Sequence, residues 1–151
     1  MQLNRRQICG LGASAALLVA MGSGLTPAIA AETDSDEIIK AFTGGADIAT
    51  GRVSLSAPEI AENGNTVPIS FSVESDMTPQ SHVSEVIILA TGNPRPGVAT
   101  FKFSPLNGEA GASTRIRLAK TQDIVAVAKM SDGAFFMDKK TVKVTIGGCG
   151  G

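Results

Sequence analysis

The feature that most restricts the fold is an alternation of apolar and polar residues with a period of two, which recurs from Arg52 to Ile146. Such alternation is typical of β-strands with one buried face. It is clearest at residues 53–57, 67–73, 99–103, 116–118 and 142–146. Two further segments, 86–90 and 124–128, are almost continuously apolar, which predicts central strands buried on both faces. Turn sequences rich in glycine, asparagine and proline separate the segments.

These seven or eight short strands predict an all-β fold, an immunoglobulin-like antiparallel β-sandwich. A short N-terminal helix is predicted before them, because Asp34 and Glu37 have the spacing of capping residues and the glycine pair that begins at Gly44 ends the helical pattern. No helical pattern lies between the strands, which argues against a parallel α/β sheet.

Composition excludes several classes of function. The chain of 151 residues has a formal net charge of −1, whereas nucleic-acid-binding proteins usually carry a basic excess. It has one histidine, His82, and two cysteines, Cys9 and Cys149, so a zinc site with four Cys or His ligands is out of reach. We therefore expect no metal site of this kind and no nucleic-acid partner.

The first thirty residues have the three-part layout of an export signal. Arg5 and Arg6 precede a weakly apolar stretch at residues 10–25, and small residues up to Ala30 form an Ala-x-Ala cleavage site. The paired arginines indicate the twin-arginine (Tat) route. Glycine and serine interrupt the apolar stretch, unlike the ~20 predominantly apolar residues of a spanning helix. We expect cleavage near Ala30/Ala31, a periplasmic location and no membrane span in the mature form.

Cleavage changes the charge and the number of cysteines. Removing residues 1–30 takes away two arginines and no acidic residue, so the net charge falls from −1 to −3 over the remaining 121 residues. Cys9 is also lost, which leaves Cys149 alone in a compartment where structural disulfides are common. A lone cysteine is a free thiol, an intermolecular link or a carrier. The predicted domains are a sandwich at 31–146 and a carrier arm at 147–151.

The arm places Cys149 between two glycine pairs, at 147–148 and 150–151. Glycine reaches most backbone angles, so the sequence predicts a flexible segment that lets the thiol enter a narrow site on another protein. No basic side chain is adjacent in sequence, and the C-terminal carboxylate disfavours the thiolate. Cys149 is therefore predicted to be a covalent attachment site that is activated by other proteins, in a carrier rather than an enzyme.

Two alternatives remain open from the residues alone. The first is a periplasmic immunoglobulin-like structural or interaction protein that uses Cys149 for an intermolecular disulfide. The second is a thiol redox enzyme that acts alone, which would need a Cys149 pKa well below that of a free thiol.

The terminal residues 142–151, Val-Lys-Val-Thr-Ile-Gly-Gly-Cys-Gly-Gly, resemble the signature of the Y-subunit family of the Sox sulfur-carrier complex. Residues 57–64, 67–69, 93–96 and 113–118 resemble the same family, and a twin-arginine signal is consistent with it. The resemblance implies a covalent carrier in periplasmic thiosulfate oxidation. It assigns substrate attachment to Cys149 and the flexible arm to Gly147, Gly148, Gly150 and Gly151.

The resemblance also implies partners. A Z-type carrier subunit without its own export signal would form a heterodimer with this chain. A c-type haem enzyme would join thiosulfate oxidatively to Cys149, and a hydrolase would release sulfate from the conjugate. In some organisms a sulfur dehydrogenase would oxidise the sulfur that stays on the cysteine. The carrier would supply no cofactor of its own, and two Cys149 thiols could pair as a disulfide dimer.

Overall fold

The computed structural model describes residues 34–148; the predicted signal at 1–30 and the last three residues, Cys149 to Gly151, lie outside this range. In chain order the elements are α1 (Ser35–Thr43), β1 (Ile48–Thr50), β2 (Val53–Ser56), β3 (Ile60–Asn63), β4 (Val67–Val73), β5 (Val83–Ala90), β6 (Gly97–Lys102), a 3-10 turn (Pro105–Asn107), β7 (Ala110–Ile116), β8 (Gln122–Met130) and β9 (Phe135–Ile146). Within the described range, no helix is long and apolar enough to cross a membrane.

The strands form two sheets. The larger has the order β1-β9-β8-β5-β6, with β3 also paired to β9, and the smaller has the order β2-β4-β7. Strands β1 and β3 run parallel to β9, whereas the other pairs are antiparallel. The predicted all-β sandwich with a short N-terminal helix is confirmed, with the addition that β9 has two short parallel neighbours.

The apolar runs at 86–90 and 124–128 are the central strands β5 and β8, as predicted. Alternate residues such as Ile88 and Ala126 lie in the core between the sheets. The residues between them, such as Leu89 and Val125, form a second core on the other face of the larger sheet. Phe71 of the smaller sheet packs edge-on against Phe101 of the larger, with ring centroids 5.1 Å apart. Both faces of β5 and β8 are covered, which explains why these two strands lack polar alternation.

Helix α1 covers the second core. Its first turn is capped by Asp34, whose side chain accepts a hydrogen bond from the Asp36 amide at 3.2 Å, and it ends at Gly44 with φ of 65°. Its apolar residues Ile38, Ile39 and Phe42 pack against the larger sheet. The predicted helix is therefore confirmed, and burial of its apolar face against β5 and β8 is what holds so short a helix in place.

Candidate functional site

Strand β9 leads directly into the C-terminal motif. It pairs with β8 from Phe135 to Val142, while β1 covers the start of its other edge and β3 the end. The register with β3 places Asn63 beside Ile146. The Thr121 hydroxyl also accepts a hydrogen bond from the Val144 amide at 2.9 Å. The chain is therefore held on both sides up to Val144 and on the β3 side up to Ile146, the residue that precedes the glycines.

Three backbone hydrogen bonds continue this attachment beyond β9. The Gly64 amide donates to the Ile146 carbonyl at 2.7 Å, and the Leu118 amide donates to the Gly64 carbonyl at 2.8 Å. The Gly148 amide donates to the Leu118 carbonyl at 2.9 Å. All three distances lie in the normal range for such bonds. We call Gly64, Leu118 and Ala119, which surround Gly147 and Gly148, the arm seat.

The three backbones approach so closely at the seat that they require glycine. A Cβ on Gly64 would collide with the Leu118 carbonyl oxygen and would lie 2.7 Å from the Gly148 nitrogen. A Cβ on Gly148 would lie 2.8 Å from the Gly64 carbonyl oxygen, and one on Gly147 would collide with the Ala119 carbonyl oxygen. Real Cβ atoms do not approach backbone atoms this closely, so all three positions are restricted by space rather than by turn conformation.

A buried polar network fixes the loop that forms one side of the seat. The Asn93 side chain donates to the Arg117 carbonyl at 2.8 Å and accepts from the Ala119 amide at 2.9 Å. The Gln122 side chain donates to the Asn93 oxygen at 2.8 Å and accepts from the Gly92 amide at 2.7 Å. Asn93 and Gln122 are both buried, and a fully paired network of this kind holds the backbone in one arrangement.

The predicted site residues divide into two groups. Arg5, Arg6, Cys149, Gly150 and Gly151 lie outside the described residues. Gly147 and Gly148 are described, and both lie close to backbone atoms of the arm seat. Gly147 is exposed, but Gly148 is buried and hydrogen-bonded. The reason is that a backbone without Cβ atoms can approach other backbones closely, as well as move freely.

One carboxylate beside β9 has a perturbed pKa. The Thr141 hydroxyl donates to the Asp123 side chain, and the ammonium group of Lys139 lies 3.4 Å from its other oxygen. The hydrogen bond from Thr141 has the largest effect and lowers the pKa of Asp123; partial burial opposes it, and Lys139 lowers the pKa further by smaller amounts. The three residues join β8 to β9 at the surface.

In the part of the chain from 34 to 148, no group of three or more His, Cys, Asp or Glu side chains is placed to hold a metal ion.

The residues of the arm seat are not evident from the sequence. The Asn63–Gly64 dipeptide predicts a turn, and the turn is present, but the dipeptide does not reveal that Gly64 contacts the C-terminal segment. The apolar side chain of Leu118 predicts burial, and it is fully buried. At the seat, however, Leu118 forms its hydrogen bonds through its backbone amide and carbonyl, which the residue type does not predict. Asn93 lies in a proline-rich turn, where the residue type predicts a turn rather than a buried network.

Comparison with known proteins agrees with this architecture. The sequence model of the family "Sulfur oxidation protein SoxY" matches residues 39–149 of the chain, a range that includes Cys149. No curated protein matches the sequence. Among solved structures, the sulfur carrier protein SoxY from Chlorobium limicola f thiosulfatophilum is similar at 32% identity and a TM-score of 0.62. That alignment covers 74% of this chain and 96% of the Chlorobium protein.

More distant structures share the fold alone. A superoxide reductase (neelaredoxin) from Ignicoccus hospitalis aligns at 16% identity with a TM-score of 0.58, covering 64% of this chain and 94% of its own. A putative superoxide reductase from Thermotoga maritima aligns at 17% identity with a TM-score of 0.54, covering 68% and 89%. The family match spans most of the chain, and the SoxY structure from Chlorobium is aligned over nearly its whole length. The chain therefore belongs to the SoxY family of sulfur oxidation proteins.

Proposed function

We propose that this protein is a periplasmic covalent carrier, which holds thiosulfate and its oxidation intermediates on Cys149 and presents them to partner enzymes. The observation that carries the proposal is that the family match extends to Cys149, two residues from the C-terminus. The sulfur carrier from Chlorobium supports the same role, because its fold and a third of its aligned residues are shared with this chain. Gly147 and Gly148 then connect a rigid sandwich to the reactive residue.

Loading is an oxidation, so it needs an electron acceptor. The thiol sulfur of Cys149 forms a bond to the terminal sulfur of thiosulfate, the thiol proton is released, and two electrons leave. The product is a cysteine S-thiosulfonate with one negative charge on its sulfonate group. The two electrons pass to the c-type haem enzyme proposed as the loading partner. A bond between two sulfur atoms suits a carrier, because such bonds are made and broken readily by exchange.

Unloading of sulfate is a hydrolysis and needs no oxidant. Water supplies an oxygen to the sulfonate sulfur, the bond between that sulfur and its neighbour breaks, and sulfate leaves. The neighbouring sulfur takes up a proton and remains on Cys149 as a persulfide. A hydrolase partner catalyses this step, and a sulfur dehydrogenase, where present, oxidises the persulfide sulfur. A Z-type subunit completes the carrier as a heterodimer. The haem and the catalytic groups belong to these partners, and this chain supplies no cofactor.

The proposal is tested by the intact mass of the protein isolated from cells grown on thiosulfate. We expect a population heavier by one thiosulfonate or persulfide group, because the carrier is sampled between loading and unloading. Treatment with a thiol reductant should return the mass to that of the free thiol. A mass of the free thiol alone under all such conditions contradicts the proposal. A mass of twice the chain, lost on reduction, would support an intermolecular disulfide instead.

Export is tested separately through the proposed signal. Replacing both Arg5 and Arg6 with lysine keeps the positive charge but removes the paired arginines on which the twin-arginine route depends. We expect the precursor to accumulate in the cytoplasm with residues 1–30 still attached, as measured by fractionation and N-terminal sequencing. The single change Gln7→Asn beside the pair serves as a control that should leave export intact. Normal periplasmic amounts of the double variant would contradict this route.

A further inference from the structure

The contacts of Gly147 and Gly148 bear on how far the carrier arm reaches. If the arm were free from the end of β9, two extended residues would add about 7 Å to the reach of the thiol. In the structure these two residues are not free. Gly148 is buried, and its amide donates to the Leu118 carbonyl at 2.9 Å. Each of the two glycines also lies against a carbonyl of the arm seat, that of Gly64 or that of Ala119.

The seat is built from groups that are themselves held in place. The Gly64 amide is bonded to Ile146 and its carbonyl to Leu118, so the turn is attached on both sides. The Leu118 side chain is fully buried in the core, and the Ala119 amide is bonded to the buried Asn93. Each group that contacts Gly147 or Gly148 is therefore fixed by an independent contact with the sandwich. Frayed chain ends usually lack contacts of this kind.

We propose that the arm seat holds Gly147 and Gly148, and that Gly64 is a positioning residue for Cys149. The role given to Gly64 rests on the proposed carrier function of Cys149. With Gly148 seated, covalent geometry keeps the thiol of the next residue within about 7 Å of the Gly148 Cα. Gly148 itself lies between the β3–β4 turn, which contains Gly64, and the β7–β8 loop, which contains Leu118; we call these two segments the rim. An enzyme acting on the seated arm contacts this rim, and deeper insertion requires Gly147 and Gly148 to leave the seat.

Amide hydrogen exchange of the exported protein, followed by NMR, tests the seat without any sulfur chemistry. In the native protein we expect the Gly148 amide to exchange at least about tenfold more slowly than in a free peptide of residues 144–151, because its bond to Leu118 must open first. In Gly64→Ala the added Cβ would lie 2.7 Å from the Gly148 nitrogen and would collide with the Leu118 carbonyl oxygen, which is the acceptor of the Gly148 amide, so protection at position 148 should be lost.

Two further variants separate the seat from general stability. Gly148 lies near the end of the chain, and in Gly148→Ala the added Cβ would lie 2.8 Å from the Gly64 carbonyl oxygen. This variant should lose the same protection, while the buried core residues Ile88 and Val127 keep the protection of their amides. If Gly64→Ala does not fold, Gly148→Ala alone tests whether the arm seat protects the amide at position 148. Gly97→Ala is the matched control, because its Cβ would meet only the Ile38 side chain at an ordinary 3.9 Å. It should leave exchange at Gly148 unchanged.

Two results would overturn the proposal. The first is exchange of the native Gly148 amide at the rate of the free peptide. The second is protection at position 148 that persists in Gly64→Ala, or in Gly148→Ala where the former does not fold. Neither result would affect the carrier proposal, since a sulfur adduct on Cys149 can form on a free arm as well as on a seated one. Conversely, a protected Gly148 with no adduct on Cys149 would retain the seat and reject the carrier.

Discussion

Cys149→Ser is expected to abolish thiosulfate-dependent sulfate release and growth while leaving the fold intact. Serine has nearly the same size, but its oxygen cannot form the bond to sulfur that loading requires. Both hydrophobic cores are made of residues that precede Gly147, from α1 to β9, so the change removes no buried contact described in the structure. We therefore expect an unchanged midpoint of thermal unfolding together with loss of sulfate release to the level of a strain without the protein.

The matched control for this experiment is the other cysteine. Cys9 lies within the proposed signal, so Cys9→Ser should leave sulfate release at the native level once the protein is exported. Sulfate release by Cys149→Ser above the level of the deletion strain would show that the substrate is not held at position 149. Equal loss in both variants would indicate that failure of export, rather than loss of the attachment site, explains the effect.

Asn93→Ala is expected to lower the free energy of unfolding by about 2–4 kcal/mol, because it removes three hydrogen bonds made by a buried side chain, each of which contributes about 1 kcal/mol. The Arg117 carbonyl, the Ala119 amide and the Gln122 side chain would each lose a hydrogen bond of 2.8–2.9 Å. The same change releases the loop that carries Leu118, so exchange at Gly148 should also become faster. Urea unfolding gives the free energy, and a constant m-value would confirm that the denatured state is unchanged.

Asn65→Ala provides the comparison for this substitution. Asn65 is exposed and directly follows Gly64 in the β3–β4 turn. Its substitution also replaces an asparagine near the arm seat, as Asn93→Ala does, but leaves the buried network of Asn93 and Gln122 intact. Its free energy of unfolding should stay within about 0.5 kcal/mol of the native value. A loss below about 1 kcal/mol in Asn93→Ala would mean that the network contributes little to the loop, since a single hydrogen bond contributes about that much.

The strands that the sequence predicts well are those whose side chains decide their position. Strand β4 shows strict alternation because one face lies in the core and the other faces outward. Strand β5 shows continuous apolar residues because α1 covers its second face. The alternation at 116–118 meets β7 only at its last residue, Ile116. The strands missed altogether are β1 and β3, which have three and four residues and contribute only Ala61 to the buried core. Their pairing with β9 depends on backbone hydrogen bonds, which leave no periodic signal.

The seat could not be predicted for a related reason. It joins residues from three distant parts of the chain, around Gly64, Leu118 and Gly148, through backbone atoms alone. A glycine that allows mobility and a glycine that allows close approach have the same letter in the sequence. The attachment residue, in contrast, could be proposed directly, because a cysteine between two glycine pairs directly after a strand is distinctive in type, spacing and position.

The central claim, that sulfur substrates are carried on Cys149, is tested most directly by mapping the adduct. Lys143 is the last basic residue of the chain, so trypsin releases residues 144–151 as one peptide that contains Cys149. In protein isolated without reductant from cells grown on thiosulfate, this peptide should carry a thiosulfonate or a persulfide that reductant removes. An unmodified peptide from cells that are actively oxidising thiosulfate, or a sulfur adduct confined to another peptide, would contradict the account.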